Sequence, residues 1–526
     1  MKMKMMAGAL LAALGLFASC SKSGKDAQDP NQEGSTYVGI TLNVGTSDFR
    51  ADEDENFNHK GKWNGKDKIE TIDVYVVDDA TSVVSTGFYN KNNFDITQAE
   101  GGASITIVPK TAIRTTPGEK RVYALVNAPA EVTQKLANAS AAAFEAAYNT
   151  TAQEFAIASL AKYDRGSGSD VIMASNAKEC KIDVERGVTE ADAKAGIKNK
   201  AVVEMKRVVA RVLVTTTKDT YEVMYSDGVT KMGTVKEISY AGAQGEKKFF
   251  IGQQLTDDGK IKTPAYTYIP EQTSDIWAPG KGRDHYDYSD LKAHTFTSDP
   301  RMATVIGNAA LDAKAIGEKS LEQSLFMYEN SHKYQTDLTN RDVNRYDGGF
   351  RRGNTAYVLV RARFVPDGNA FADKAHATYV EGEDFYLGAN NKFYAKKEHI
   401  TDPAKGGIAN QKFRTYVKGK VLYYAFVNPD KAPNTLDAPV FRNGIYHINI
   451  TGFKTIGTNW NPLYPEDPNN PATPTPDNPD PKPSDDPDNP NPFNPEDPNT
   501  PKETWMSVEM SVLAWTVHSY DIELAL

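Results

Sequence analysis

Along residues 37–44 the chain alternates strictly: Val38, Ile40, Leu42 and Val44 are apolar, and Tyr37, Gly39, Thr41 and Asn43 fall between them. A period of two predicts a β-strand with one buried face. The signal returns, often as continuous β-branched and aromatic runs, at 72–77, 103–108, 120–127, 201–205, 210–216, 247–251, 356–360, 384–387, 421–427 and 445–450. Residues 130–160 are rich in Ala, Glu, Gln and Leu and lack Gly and Pro, which predicts two short helices broken near Asn149-Thr150-Thr151. No strand–helix alternation repeats. The expected fold class is therefore all-β with minor helices, built as sandwiches and not as a parallel α/β sheet. The pattern loosens at 219–232, so the expected domains are 51–228 and 229–460, the second with a loop-rich stretch at 255–353.

The two ends read differently. Residues 1–19 carry Lys2 and Lys4, then a short apolar run, and Phe17-Ala18-Ser19-Cys20 fits a lipobox, so Cys20 is the expected lipidation site of an exported precursor. Residues 20–50 form a polar tether followed by the first strand and end at Arg50, which has no other arginine before Arg114; Ala51 opens an acidic stretch. At the other end, 461–502 holds 15 of the 28 prolines among Asp, Asn and Glu. Such a spacer samples extended polyproline II and could reach on the order of 130 Å. It is followed only by 503–526, where Met506, Val508, Met510 and Val512 alternate with polar residues, the phase slips at Leu513, and Trp515, Val517, Tyr520, Ile522 and Leu524 are the large apolar positions. One kinked strand or two short ones are expected there, and a lone strand is not stable in water, so it must pair with something else.

Composition narrows the partners. The formal net charge is −9 and no basic cluster occurs, which argues against nucleic acid. Of two cysteines, only Cys180 remains once Cys20 is acylated, so no intrachain disulfide is expected. No metal is expected either: the eight histidines show no ligand spacing, and the Asp342, Asn344, Asp347 run carries Tyr346 where a calcium loop needs an oxygen ligand. No P-loop, dinucleotide fingerprint or nucleophile elbow is present, and the chain reads as a non-enzyme without cofactor.

An amphipathic strand ending near one isolated arginine, a β body, and an orphan apolar strand on a long tether fit one mechanism. If a protease cuts after Arg50, the first strand can leave, and an extended segment of another subunit can add to the exposed sheet edge. Burying about ten large side chains at roughly 1.5–3 kcal/mol each gives a gross 15–30 kcal/mol, an upper bound. Donor and groove are different surfaces, so the contact is head-to-tail and builds a filament. The pattern equally admits a permanent edge strand at 37–44, an ordinary loop at Arg50, and a C-terminal strand that folds back onto its own second domain.

The chain also resembles the fimbrillin family that builds type V pili, specifically the major structural subunits of short (minor) fimbriae. The similarity runs in order through Phe17-Ala18-Ser19-Cys20, Asp73-Val74-Tyr75-Val76-Val77, Val122-Tyr123-Ala124-Leu125-Val126-Asn127, Arg352-Gly353-Asn354-Thr355-Ala356-Tyr357, Asp384-Phe385-Tyr386-Leu387-Gly388, Arg442-Asn443-Gly444-Ile445-Tyr446, the Pro/Asp spacer and Trp515-Thr516-Val517-His518. It implies two transthyretin-like β-sandwich domains in tandem, lipid-anchored export to the outer membrane, and maturation by an arginine-specific protease between Arg50 and Ala51. It further implies replacement of the removed strand by a neighbour's, the C-terminal segment being the donor. The product would be a homopolymer that meets accessory and anchor subunits and binds host or bacterial surfaces in adhesion, coaggregation and biofilm formation. The competing expectations are a surface lipoprotein that binds glycans, and an accessory or anchor subunit of the same pilus.

Overall fold

The computed structural model describes residues 36–45, 67–80, 83–98, 104–137, 139–255, 261–264, 286–290, 300–306, 321–331, 355–373, 378–428, 440–457 and 516–524. The N-terminal lobe holds β1 (Thr36–Gly45), β2 (Thr71–Asp78), β3 (Val83–Asn90), β4 (Phe94–Gln98), β5 (Ser104–Pro109), β6 (Ile113–Thr115), β7 (Gly118–Val126), the hairpin β8 (Ala161–Asp164) and β9 (Ser169–Ile172), β10 (Ala174–Asn176), β11 (Lys181–Val184) and β12 (Lys200–Arg207). All but the hairpin join one curled sheet in the order β3-β2-β7-β10-β12-β1-β5-β4, with β11 on β7 and β6 on β1. Its inner face closes over a core of Val38, Leu42, Ile72, Val74, Val122 and Val203 among others. β2 and β7 are also covered on their outer face, where Tyr75, Tyr123 and Leu125 meet Phe144 and Tyr148. Burial on both faces is why these strands read as continuous apolar runs without alternation. The helical interval forms α1 (Ala130–Leu136), α2 (Ala141–Glu145), extended by a π-turn to Thr150, and α3 (Ile157–Leu160). The chain leaves helix at Thr150, within the expected break, and the one unexpected interruption is between Leu136 and Ala141, which makes three short helical stretches in place of the expected two.

The C-terminal lobe begins at β13 (Ala210–Thr216), followed by β14 (Thr220–Met224), β15 (Lys231–Ala243), the two-residue strands β16 (Gly245–Glu246), β17 (Gln254–Leu255), β18 (Ile261–Lys262), β19 (Tyr286–Asp287) and β20 (Thr304–Val305), then β21 (Leu325–Met327). The longer β22 (Tyr357–Pro366), the small sheet of β23 (Phe385–Gly388), β24 (Phe393–Tyr394) and β25 (Phe413–Tyr416), then β26 (Lys420–Phe426), β27 (Gly444–Phe453) and β28 (Thr516–Leu524) complete it. One sheet runs β20-β13-β27-β28, and the facing one β14-β15-β22-β26. Between them lies a second core of Val212, Val235, Val358, Val360, Phe364, Tyr446 and Ile448 with their neighbours. The architecture is all-β sandwich, as the sequence predicts.

Where the lobes divide is different. Residues 228 and 229 lie in the turn of the β14–β15 hairpin, whose strands pair from Thr220↔Lys236 to Met224↔Lys231. β13, expected in the first domain, instead runs parallel to β27 from Arg211↔Ile445 to Thr216↔Ile450. The crossing is therefore Val208-Val209, between the last residue of β12 and the first of β13, and both valines are fully buried. The expected strand at 247–251 is also replaced: this run is coil apart from a single bridge between Phe249 and Gln153.

Three buried arginines fix the junction. Arg207 pairs with Asp67 and donates to Asn443 Oδ1 at 2.9 Å. Arg211 pairs with Asp170 and lies over the Phe326 ring at 4.7 Å. Arg442 pairs with Glu329 at 2.9 Å and donates to the carbonyls of Phe250 at 2.8 Å and Ile251 at 2.9 Å. Those carbonyls point at a guanidinium and not at a ladder partner, which is why an apolar run there does not become a strand.

Candidate functional site: the first strand and its groove

β1 is an interior strand, which overturns the edge-strand alternative. It runs parallel to β12 from Gly39↔Lys200 to Val44↔Met205. On its other side it pairs antiparallel with β6 at Thr36–Val38 and with β5 at Leu42–Gly45. Val38, Ile40, Leu42 and Val44 all enter the core, none more than 4% exposed. At roughly 1.5–3 kcal/mol per side chain, these four contribute a gross 6–12 kcal/mol. Withdrawing β1 would open a slot with unpaired backbone groups on both walls and the core of the lobe as its floor.

The start of the strand is held by a polar latch that the sequence does not advertise. The fully buried Thr36 hydroxyl donates to Glu185 O at 2.7 Å and accepts from Val188 N at 3.2 Å and Asn199 Nδ2 at 3.2 Å. Asn199 Nδ2 also reaches Tyr37 O at 2.9 Å, while its Oδ1 accepts from Glu185 N at 2.8 Å. Asn199 adopts φ +50°, a left-handed conformation that Asn tolerates better than most residues. Further along, Thr106 Oγ1 donates to Asn43 Oδ1 at 3.1 Å across the β1–β5 ladder.

Outside the sheet, helix α4 (Glu190–Ala195) lies across β1. It is capped by Thr189, whose hydroxyl oxygen accepts from Asp192 N, and it ends on Gly196 in the left-handed region. The helix crosses so close to Gly39 that a Cβ there would sit 1.9 Å from Ala193 O. Gly39 is thus required by close approach, with no unusual φ involved. Thr36, Gly39 and Asn199 went unnoticed in the sequence because their partners are up to 163 residues away; only the glycine within an otherwise β-rich run hints at a close neighbour.

The C-terminal segment meets its own lobe. β28 runs parallel to β27 from Gly444↔Thr516 to Phe453↔Leu524 and forms the edge of that sheet. Val517, Tyr520, Ile522 and Leu524 therefore lie on a strand paired in cis. Cys20, Arg50, Ala51, Met506, Val508, Met510, Val512, Leu513 and Trp515, with the signal segment and the 461–502 spacer, lie outside the described residues. The described thiol, Cys180, is pushed up to about 11 by burial and stays protonated. Among the described residues no group of three or more His, Cys, Asp or Glu is placed to hold a metal, and no helix is long and apolar enough to cross a membrane.

Residues 414–521 match the family described as major fimbrial subunit protein type IV, fimbrillin, C-terminal. Two forms of the minor fimbrium subunit Mfa1 of Porphyromonas gingivalis are each 34% identical over 544 aligned positions, covering 98% of this chain and 98% of the relative. Among solved structures, the tip fimbrial protein Mfa3 of the same organism, with a C-terminal truncation, aligns at 10% identity and a TM-score of 0.31, covering 80% of this chain and 95% of its own. Because the similarity to Mfa1 spans essentially the whole length of both chains, the protein belongs to the fimbrillins, a family of cell-surface fimbrial subunits and not of enzymes.

Proposed function

We propose that the protein is the structural shaft subunit of a type V pilus, exported as a lipoprotein acylated on Cys20, cut between Arg50 and Ala51, and polymerised head-to-tail by donor-strand exchange. The observation that carries this reading is the position of β1: an interior strand, contributing four core side chains, that lies wholly on the N-terminal side of Arg50. Cleavage there leaves β1 held by non-covalent contacts alone, and a strand of another subunit can replace it with equal backbone pairing. The donor comes from 503–526, carried on the proline-rich spacer. The polymer serves adhesion, coaggregation and biofilm formation; its partners are further copies, accessory and anchor subunits, an arginine-specific protease, the outer membrane through the precursor lipid, and ligands on host or bacterial surfaces.

The test compares purified precursor before and after arginine-specific cleavage, with and without residues 503–526, reading SDS-resistant ladders and filaments. Cleavage at Arg50 should give ladders that vanish when the tail is deleted. A cut subunit that stays monomeric sinks the exchange mechanism, and a tail-less subunit that still polymerises sinks the donor assignment.

A further inference from the structure

The groove and the tail can be compared position by position. β1 reads Thr36-Tyr37-Val38-Gly39-Ile40-Thr41-Leu42-Asn43-Val44, and residues 504–512 read Thr504-Trp505-Met506-Ser507-Val508-Glu509-Met510-Ser511-Val512. Thr36, Tyr37, the four apolar positions and Asn43 each have a counterpart of similar kind, whereas Ser507 stands for Gly39 and Glu509 for the largely buried Thr41. We propose, building on the strand-exchange reading above, that 504–512 takes the place of β1 in the next subunit in this register and direction, while Thr516–Leu524 remains on β27 of its own lobe.

Three features of the groove select the register. The core requires large apolar side chains at the places of Val38, Ile40, Leu42 and Val44, which Met506, Val508, Met510 and Val512 supply. The latch requires a hydroxyl at the place of Thr36, where it satisfies a backbone N–H, a backbone carbonyl and the Asn199 amide; Thr504 supplies it. The space beneath α4 disfavours a large residue at the place of Gly39, and the small Ser507 falls there. A shift of two residues one way puts Met506 in the latch and Glu509 beneath α4. The opposite shift puts Lys502 in the latch and Trp505 beneath α4. Reversing the strand, so that Val512 takes the place of Val38, leaves Ala514 in the latch, without a hydroxyl.

The match is incomplete at two points, Glu509 at the place of the buried Thr41 and Ser507 at the place of Gly39, and the second is informative. Residues 503–526 contain no glycine, so whichever of them lies under α4 brings a Cβ into the space now held by Ala193 O. Helix α4 fits the resident strand alone, and entry of Ser507 displaces it outward. The cis pairing of β28 supplies a second constraint, because only residues 513–515 separate it from the donor. From Val512 to Thr516 is four residue steps, which extend at most about 14 Å, so the groove of the receiving subunit abuts the β27–β28 edge of the giving one.

Disulfide trapping tests the register. In a Cys180→Ala background, cleaved subunits carrying Thr106→Cys and Ser511→Cys should cross-link between neighbours throughout the ladder, because Asn43, which Ser511 replaces, has its side chain against Thr106. Cross-linking that instead favours Glu509→Cys or Leu513→Cys overturns the register. Ladders that form without cross-linking at any of these positions overturn the assignment of 504–512 and leave exchange through another segment standing. Failure of the uncross-linked parent to form ladders removes the exchange reading itself, and this register with it. As a second readout, Thr504→Val should lower the temperature at which ladders dissociate and Thr504→Ser should preserve it, whereas equal effects would show that the latch takes no part.

Discussion

Asp73 stands on β2, a strand buried on both faces, and is only 9% exposed. Burial without a compensating charge pushes its carboxyl up to about 7. An acid whose folded value is raised retains its proton in the folded state while the unfolded chain has already lost it. Its presence therefore costs nothing below the unfolded value near 4, costs progressively more as pH rises, and reaches its full cost above about 7. Asp73→Asn should be neutral near pH 4 and stabilising at pH 8, by an amount on the order of 4 kcal/mol at most. Urea denaturation of variant and parent at both pH values measures this, and an equal difference at the two would show that the carboxyl titrates normally. His447 is buried as well, with Nε2 2.8 Å from Thr215 Oγ1, and burial holds it down to about 3. It stays neutral in the fold at any pH where the fimbria works.

A strand and a short helix meet at Gly39, and the contact has a measurable consequence. Gly39→Ala would drive a methyl to 1.9 Å from the Ala193 carbonyl oxygen. Either α4 or β1 must move, at a cost of about 1–3 kcal/mol, read as a lower urea midpoint for the uncleaved precursor. No loss would mean that α4 shifts freely. β1 was legible in the sequence because it has one core face and an unbroken period. β15 was not: its ladder with β22 shifts register between Lys236 and Ser239, where Glu237 takes φ +53°, so the alternation breaks midway. That hidden strand is also why the lobe boundary was expected at 228. Residues 247–251 fail for the opposite reason. Phe249, Phe250 and Ile251 are buried as their hydrophobicity demands, yet their geometry is dictated by Arg442, nearly two hundred residues later. In the site itself, the core side of β1 could be read directly, whereas the latch and the helix above it are long-range contacts that no local pattern encodes.

At the scale of the whole molecule, the lobes are joined by Val208-Val209, by the Arg211–Asp170 ion pair and by the hydrogen bond from Arg207 to Asn443. Arg442→Met would leave Glu329 buried beside its own lobe with no cation opposite, a loss of about 3–5 kcal/mol. The expected outcome is a lower overall stability, with proteolysis entering first near Phe250 and Ile251, whose carbonyls lose their donor. Unchanged stability would show that this buried pair contributes nothing net to the C-terminal lobe. A crossing of two fully buried residues, walled by matched charges, has no slack to bend or swivel. Each subunit is accordingly stiff across the junction between its lobes. In the proposed polymer, shear from flowing fluid would be taken up at the joints between subunits, so bending compliance would be set by how one subunit grips the next and hardly at all by movement between the lobes of any one of them.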